Sequence, residues 1–134
     1  MYKKIVVALG LEHGHGHRAM EVARQLLSEG GEIIALHVIE PVPGVVSYYV
    51  PEGQEQEVKR SALDRVQERI GESQDAEAKV LFGHPGRLIP DFAEEIGADC
   101  IVVGSHRAEL SDYLLGSTAA RVVRHAPCPV HVLR

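Results

Sequence analysis

The sequence predicts an α/β fold, a doubly wound five-stranded parallel sheet in the order 3-2-1-4-5 with helices on both faces. Short apolar runs alternate along the chain with segments whose apolar residues have helical spacing. Aromatic residues make up only 4% of the chain and Trp is absent, so the core has to be aliphatic. A chain of 134 residues has the usual size of one domain, and we expect a single domain over residues 1–134.

Two strands and a helix are predicted in the first 40 residues. Lys4 to Leu9 is an unbroken β-branched run that Gly10 ends, which is typical of a buried strand. His17 to Glu29 has helical spacing and is followed by two glycines that stop a helix. Ile33 to Ile39 is a second buried strand.

A loop rich in proline and glycine, Pro41 to Gly53, separates these elements from the middle of the chain. Gln54 to Ile70 is amphipathic and predicts a helix. Its apolar face is formed by Val58, Ala62, Val66 and Ile70. Ala76 to Phe82 predicts a less buried strand, and Pro85 to Ile96 a short helix with proline in its first turn.

The last third continues the alternation with a strand at Asp99 to Gly104, a helix at Ser117 to His125 and a strand at Pro129 to Leu133. In the order 3-2-1-4-5 the direction of winding reverses between the first and the fourth strand. Ligands of such sheets bind at the carboxyl ends of the strands that flank this reversal. The loops after Leu9 and Gly104 are therefore the predicted binding edge.

Charge and composition exclude several classes of protein. The net charge of −5, from 14 basic and 19 acidic side chains, disfavours a nucleic-acid binder. No apolar run approaches the ~20 residues of a membrane span, and the N-terminal apolar stretch is too short for a signal peptide. Cys100 and Cys128 are expected to be reduced thiols, and we expect a cytoplasmic protein.

The loop from Gly104 to Thr118 carries the most chemical information. Gly116 allows a close backbone approach, and Ser117 or Thr118 is suited to cap the following helix. The N–H groups of the first helical turn form an anion site, to which His106 and Arg107 could add charge-assisted bonds. The alternative is a long loop followed by an ordinary capped helix.

The same region resembles the C-terminal signature of the universal stress protein family. The resemblance rests on Gly104-Ser105-His106, on Tyr-Leu-Leu-Gly-Ser at 113–117 and on Val-Val-Arg-His-Ala-Pro-Cys-Pro-Val at 122–130. The opening residues 2–8, the strand Leu36-His37-Val38-Ile39 and Gly83-His84-Pro85 also fit. The branch with Gly-Ser-His-Arg in this loop is the most similar.

This resemblance implies a Rossmann-like fold and a dimeric stress-response regulator that binds ATP or AMP, with or without Mg²⁺. Gly104 and Gly116-Ser117 match the glycines and hydroxyl that hold the phosphates. Val38 matches the strand residue whose backbone contacts adenine, while Val103 and Ala8 match the lining of the base and sugar pocket. The full candidate nucleotide site is Ala8, Leu9, Gly10, Val38, Val103, Gly104, His106, Arg107, Gly116, Ser117, Thr118 and Ala119.

The sequence departs from the family pattern at two points. Arg107 replaces the second glycine of the phosphate loop, and the stretch from there to Gly116 is one residue shorter. Gly10 stands where nucleotide-binding members have an Asp near the ribose. Glu12 or a histidine of the following loop would have to supply that contact.

Three histidines, His13, His15 and His17, alternate with glycines after the first strand. They allow three interpretations: a transition-metal site, a replacement for the missing ribose acid, or solvated imidazoles. Asp112 and Glu109 are candidates for holding Mg²⁺ through water. No Ser-His-acid constellation is recognisable, which disfavours a hydrolase.

Three functions remain open at this point: a nucleotide-binding regulator, a nucleotide-free interaction module, and a slow ATPase or autophosphorylating protein. The residues Val130 to Leu133 form a short apolar strand at the predicted sheet edge. Antiparallel pairing of two copies would satisfy its open backbone groups. We therefore expect a homodimer through the last strand, or a tetramer built from it.

Overall fold

The computed structural model describes residues 1–11, 16–41, 52–105 and 115–134. Strands and helices alternate along them. The strands are β1 (Tyr2–Ala8), β2 (Leu27–Ile39), β3 (Ala76–Phe82), β4 (Cys100–Gly104) and β5 (Val130–Leu133), and the helices are α1 (Gly16–Leu26), α2 (Glu52–Ile70), α3 (Pro85–Ile96) and α4 (Ser117–His125). Within these ranges, no helix has both the length and the apolar composition needed to cross a membrane.

The five strands form one sheet in the order β3-β2-β1-β4-β5, and every neighbouring pair is parallel. The predicted fold class and strand order are confirmed. β1 lies at the centre, between β2 and β4, and the winding reverses there. β3 and β5 are the two edges.

Two apolar layers cover the two faces of the sheet. On one face, Ile5 and Val7 of β1 pack with Met20 of α1 and Val66 of α2. On the other face, Val6 packs with residues of α3 and α4. Since Ile5, Val6 and Val7 are all 0% exposed, β1 is covered on both sides. This double burial is why its sequence is a continuous apolar run.

The boundary between α1 and β2 differs from the prediction. The helix ends at Leu26, not Glu29, and β2 begins at Leu27, which pairs with Tyr2. A side chain at Gly31 would place its Cβ 2.6 Å from Leu27 Cδ1 and 2.9 Å from the Lys3 carbonyl oxygen. The glycine therefore permits the close approach of β2 to β1, and the apolar periodicity of the helix runs past its true end.

Other boundaries shift by one or two residues, as helix and strand ends usually do. β1 begins at Tyr2, while β4 and β5 begin one residue later than predicted. α2 begins at Glu52, and its predicted apolar face is correct except for Val58, which is 48% exposed. Cys100 is buried in β4, Cys128 lies between α4 and β5, and both thiols are free.

Asp99 immediately precedes β4, and its carboxylate binds the backbone at the start of β1. Its two oxygens accept hydrogen bonds from the backbone N–H groups of Lys3 and Lys4, each at 2.9 Å. Partial burial raises the pKa of this carboxyl, but the backbone hydrogen bonds outweigh that effect and hold the pKa below its ordinary value of 3.8. The ionised form is therefore the one that stabilises the fold.

We expect Asp99→Ala to lower the free energy of unfolding by about 1–2 kcal/mol at pH 7, because two charge-assisted hydrogen bonds are lost. The folded pKa is depressed, so this contribution is present above the unfolded pKa and disappears as the pH falls through the folded pKa. Urea titrations at pH 7 and at about pH 3 measure the difference. Glu95→Ala, an exposed acid on α3, is the control. An equal loss at both pH values would contradict this role.

Candidate nucleotide site

A cavity of about 780 Å³ opens at the carboxyl ends of the strands, where the winding reverses. Its volume lies in the usual range of small-molecule sites. β1, β2, β4 and β5 and the four described helices contribute to its walls. The lining residues are Ala8, Leu9, Gly10, Leu11, Gly16, Ala19, Leu36, His37, Val38, Ile39, Glu40, Arg65, Pro85, Ile89, Val103, Gly104, Ser105, Gly116, Ser117, Thr118, Ala119 and Leu133.

The first turn of α4 forms one wall. Gly116 is the N-cap residue, with extended backbone angles and without a side-chain capping hydrogen bond. The prediction that Ser117 or Thr118 caps the helix is therefore wrong, since both lie inside the first turn. The first intrahelical bond runs from Ala120 N–H to Gly116 O, at 2.9 Å. The N–H groups ahead of it, at 117–119, are those that a helix leaves open to an anion.

The start of α4 is tied to the end of β4 through one residue. Ser105, which is 3% exposed, accepts a hydrogen bond from Gly116 N–H at 2.7 Å. Its own N–H donates to the Leu133 carbonyl at 2.6 Å. These two bonds fix the first turn of α4 against β4 and β5.

The opposite wall is formed where β1 leaves the sheet. Leu9 N–H donates to Leu36 O at 2.8 Å, and the Leu9 carbonyl lies 2.7 Å from His37 Nδ1. A carbonyl oxygen only accepts, so Nδ1 carries the proton. Arg65 of α2 donates to the Leu11 carbonyl at 3.0 Å. Side chains of β2 and α2 thus replace the strand ladder at this end of β1.

The backbone of Val38 faces the space that β1 leaves open. In β2 the peptide groups point alternately to the two neighbouring strands: Leu36 bonds towards β1, and Ile39 O accepts from Gly83 N–H beyond β3. The peptide groups of Val38 have the same orientation as those of Leu36, and they therefore point towards β1. Among the described residues, no hydrogen bond reaches its N–H or C=O. The cavity therefore has an adjacent donor and acceptor in its wall.

Ten of the twelve predicted site residues line this one cavity. They are Ala8, Leu9, Gly10, Val38, Val103, Gly104, Gly116, Ser117, Thr118 and Ala119. His106, Arg107, Glu109 and Asp112 lie outside the described residues. Sequence reasoning missed Arg65, Glu40 and His37, because their approach to the cavity depends on long-range packing that no local pattern signals.

The histidine cluster is only partly described. His13, His15 and Glu12 lie outside the described residues, while His17 belongs to α1 and accepts a hydrogen bond from Arg69 at 3.4 Å. Within the described ranges, no group of three His, Cys, Asp or Glu side chains could hold a metal ion. Burial raises the pKa of the Cys100 thiol to about 11, so this thiol stays protonated and unreactive at neutral pH.

A model of the Universal stress protein family matches residues 1–134. The chain belongs to the universal stress protein family. It is similar to Universal stress protein G of Escherichia coli O157:H7, with 32% identity over 145 residues and 100% of both chains covered. The solved structure of MJ0577 superposes on this universal stress protein with a TM-score of 0.79 and 25% identity, over 99% and 96% of the two chains.

Two further solved universal stress proteins share the fold. One is a complex with cAMP, at a TM-score of 0.62 and 24% identity, covering 99% of this chain and 97% of that one. The other, from Archaeoglobus fulgidus, is a complex with dAMP, at a TM-score of 0.60 and 24% identity, covering 99% and 98%. The nearer match to the Gly-Ser-His-Arg branch of the family remains a prediction.

Substitutions at Gly104 and Gly31 distinguish a glycine that borders the cavity from one that the fold requires. A Cβ at Gly104 has no described heavy atom within 4 Å, whereas one at Gly31 collides with Leu27 and Lys3. We expect Gly104→Ala to leave the free energy of unfolding within about 0.5 kcal/mol of the wild type. Gly31→Ala should lower it by about 1–3 kcal/mol. Urea denaturation measures both, and a comparable loss in Gly104→Ala would show that this glycine is needed for folding.

Proposed function

We propose that this universal stress protein is an adenine-nucleotide-binding regulator that acts as a homodimer. ATP or AMP would occupy the cavity at the carboxyl edge of the sheet. The observation that carries the proposal is the first turn of α4, which meets the cavity without a side-chain cap. A phosphate accepts hydrogen bonds from such N–H groups and is favoured there by the helix dipole.

The base and the phosphates would lie against opposite walls. Val38 offers a backbone donor and acceptor side by side, which is the pattern that the edge of an adenine ring complements. Gly104 leaves open space between this wall and α4, so the ligand can pass close to the end of β4. The same fold accommodates adenine nucleotides in the cAMP and dAMP complexes of other universal stress proteins.

The ribose would be held differently here than in family members that have an acidic residue after β1. Gly10 lines the cavity and supplies no side chain. Arg65 and Glu40 are the described charged side chains at the cavity wall. Arg65 uses one of its N–H groups on Leu11 and has others that can meet an anionic ligand.

Titration calorimetry of the nucleotide-stripped protein with MgATP tests the proposal. We expect micromolar binding by the wild type and at least a tenfold weaker affinity in Gly104→Ala and Gly116→Val, because each added side chain narrows the path of the phosphates. Gly116 has φ −60°, so valine fits its backbone conformation. Val123→Ala, on the exposed face of α4, is the control.

The outcomes separate the alternatives. Loss of binding in the two glycine variants but not in the control supports the regulator. Absence of binding in the wild type would overturn it and favour a nucleotide-free interaction module. Phosphate release above the rate in buffer, abolished in the same variants, would make the protein a slow ATPase.

The dimer would form through β5, which is one edge of the sheet. Ile101 N–H donates to Pro129 O, and Ser105 N–H donates to Leu133 O. Residues 129, 131 and 133 therefore point towards β4, and Val130 and Val132 present their peptide groups to the outside. Antiparallel pairing with a second copy would satisfy these outward groups.

Val132→Pro tests this interface without disturbing the sheet, because the N–H that it removes points outward. We expect multi-angle light scattering to give the mass of a monomer for this variant and of a dimer for the wild type and for Val132→Thr. Circular dichroism should be unchanged. A Val132→Pro dimer would reject β5 as the interface.

A further inference from the structure

The ladder between β1 and β2 stops one bond earlier than the geometry of the strands allows. Its last bond is Leu9 N–H to Leu36 O. In a parallel ladder the next bond would join Val38 N–H to Leu9 O. This bond is not formed among the described residues, although continuing the register that pairs Ala8 with Leu36 would place Val38 opposite Gly10, between Leu9 and Leu11.

The reason lies in the side chain of His37. Its Nδ1–H donates to Leu9 O at 2.7 Å, the same oxygen to which Val38 N–H would donate if the ladder continued. Leu9 is 5% exposed, and a buried carbonyl oxygen needs a partner. His37 meets that need with a side-chain donor in place of the neighbouring backbone N–H.

We infer that His37 is a positioning residue: by holding the Leu9 carbonyl, it ends the β1–β2 ladder and keeps the backbone of Val38 open to the cavity. This inference rests on the proposed function in one respect, since an open Val38 is useful only if a ligand reads it. The hydrogen bond from His37 to Leu9, in place of one from Val38, does not depend on any ligand.

A second contact engages the chain two residues further along, at Leu11. Arg65 of α2 donates to the carbonyl of Leu11, two residues beyond Leu9. Leu11 is the residue whose N–H would next bond to Val38 O if the ladder continued. With Leu9 held by His37 and Leu11 by α2, both groups of Val38 remain facing the cavity.

His37 lines the cavity, but the ring nitrogen that it places on Leu9 is not available to a ligand. Its Nδ1 is committed to Leu9, and it is half-buried on the face of β2 opposite to that of Leu36 and Val38. Substitutions should therefore act on the ligand through Val38. Any side-chain donor at the position of Nδ1 should be sufficient to hold the Leu9 carbonyl. The amide nitrogen of an asparagine occupies a comparable position.

The test is amide hydrogen exchange at Val38, followed residue by residue by NMR in the ligand-free protein. We expect little protection of the Val38 amide in the wild type and in His37→Asn. In His37→Leu the orphaned Leu9 carbonyl should recruit Val38 N–H, which should raise the protection factor of Val38 about tenfold or more. His125→Leu, at the exposed end of α4, is the control.

Protection factors correct for the different intrinsic exchange rates of the variants, and urea denaturation identifies a general loss of stability. A Val38 amide that is already protected in the wild type would overturn the inference. So would unchanged Val38 protection in a folded His37→Leu.

MgATP titration of the same proteins tests the proposed function separately. If the wild type binds, His37→Leu should bind about tenfold more weakly and His37→Asn should retain wild-type affinity. If the wild type does not bind but the exchange pattern is as expected, the role of His37 stands and the nucleotide site fails. Binding without the expected exchange pattern rejects His37 as the positioning residue and leaves the site intact.

Discussion

The structure depends on the complete burial of its central strand. β1 has a parallel neighbour on each side and a helical layer on each face, and Ile5, Val6 and Val7 have no exposed surface. The crossovers on its two sides run to opposite faces, α1 and α2 to one and α3 and α4 to the other. Helices that depart in opposite directions leave an uncovered crevice at the carboxyl end of this strand.

Two sets of backbone groups lie at this crevice. They are the N–H groups of the first turn of α4 and the peptide groups of Val38. Backbone groups are present whatever the side chain. In the sequence, such a site is therefore indicated mainly by glycines, which allow a ligand to approach the backbone closely. Gly10, where the sequence departs from the family pattern, lines the cavity and supplies no side chain.

Hydrogen bonds at the ends of strands decide which backbone groups remain open. Ser105 ties the start of α4 to the neighbouring strands through its two peptide groups. His37 and Arg65 take the carbonyls of Leu9 and Leu11, which would otherwise continue the sheet. The fold alone is shared by proteins of many functions, and these few contacts give the crevice its chemistry.

The amino-acid sequence by itself determined the alternation of elements, the strand order and the edge at which the cavity opens. Apolar periodicity and turn residues are local signals, and a buried parallel strand such as 5–7 is apolar on both faces. Among the predicted residues that line the cavity, Gly104 and Gly116 followed from the loop pattern and the topology, whereas Val38, Val103 and Ala8 followed from the resemblance to the family. Only the tertiary structure placed the N-cap at Gly116, ended α1 at Leu26 and brought His37 and Arg65 to the end of β1. Each of these depends on contacts between residues distant in sequence, whose geometry no local pattern encodes.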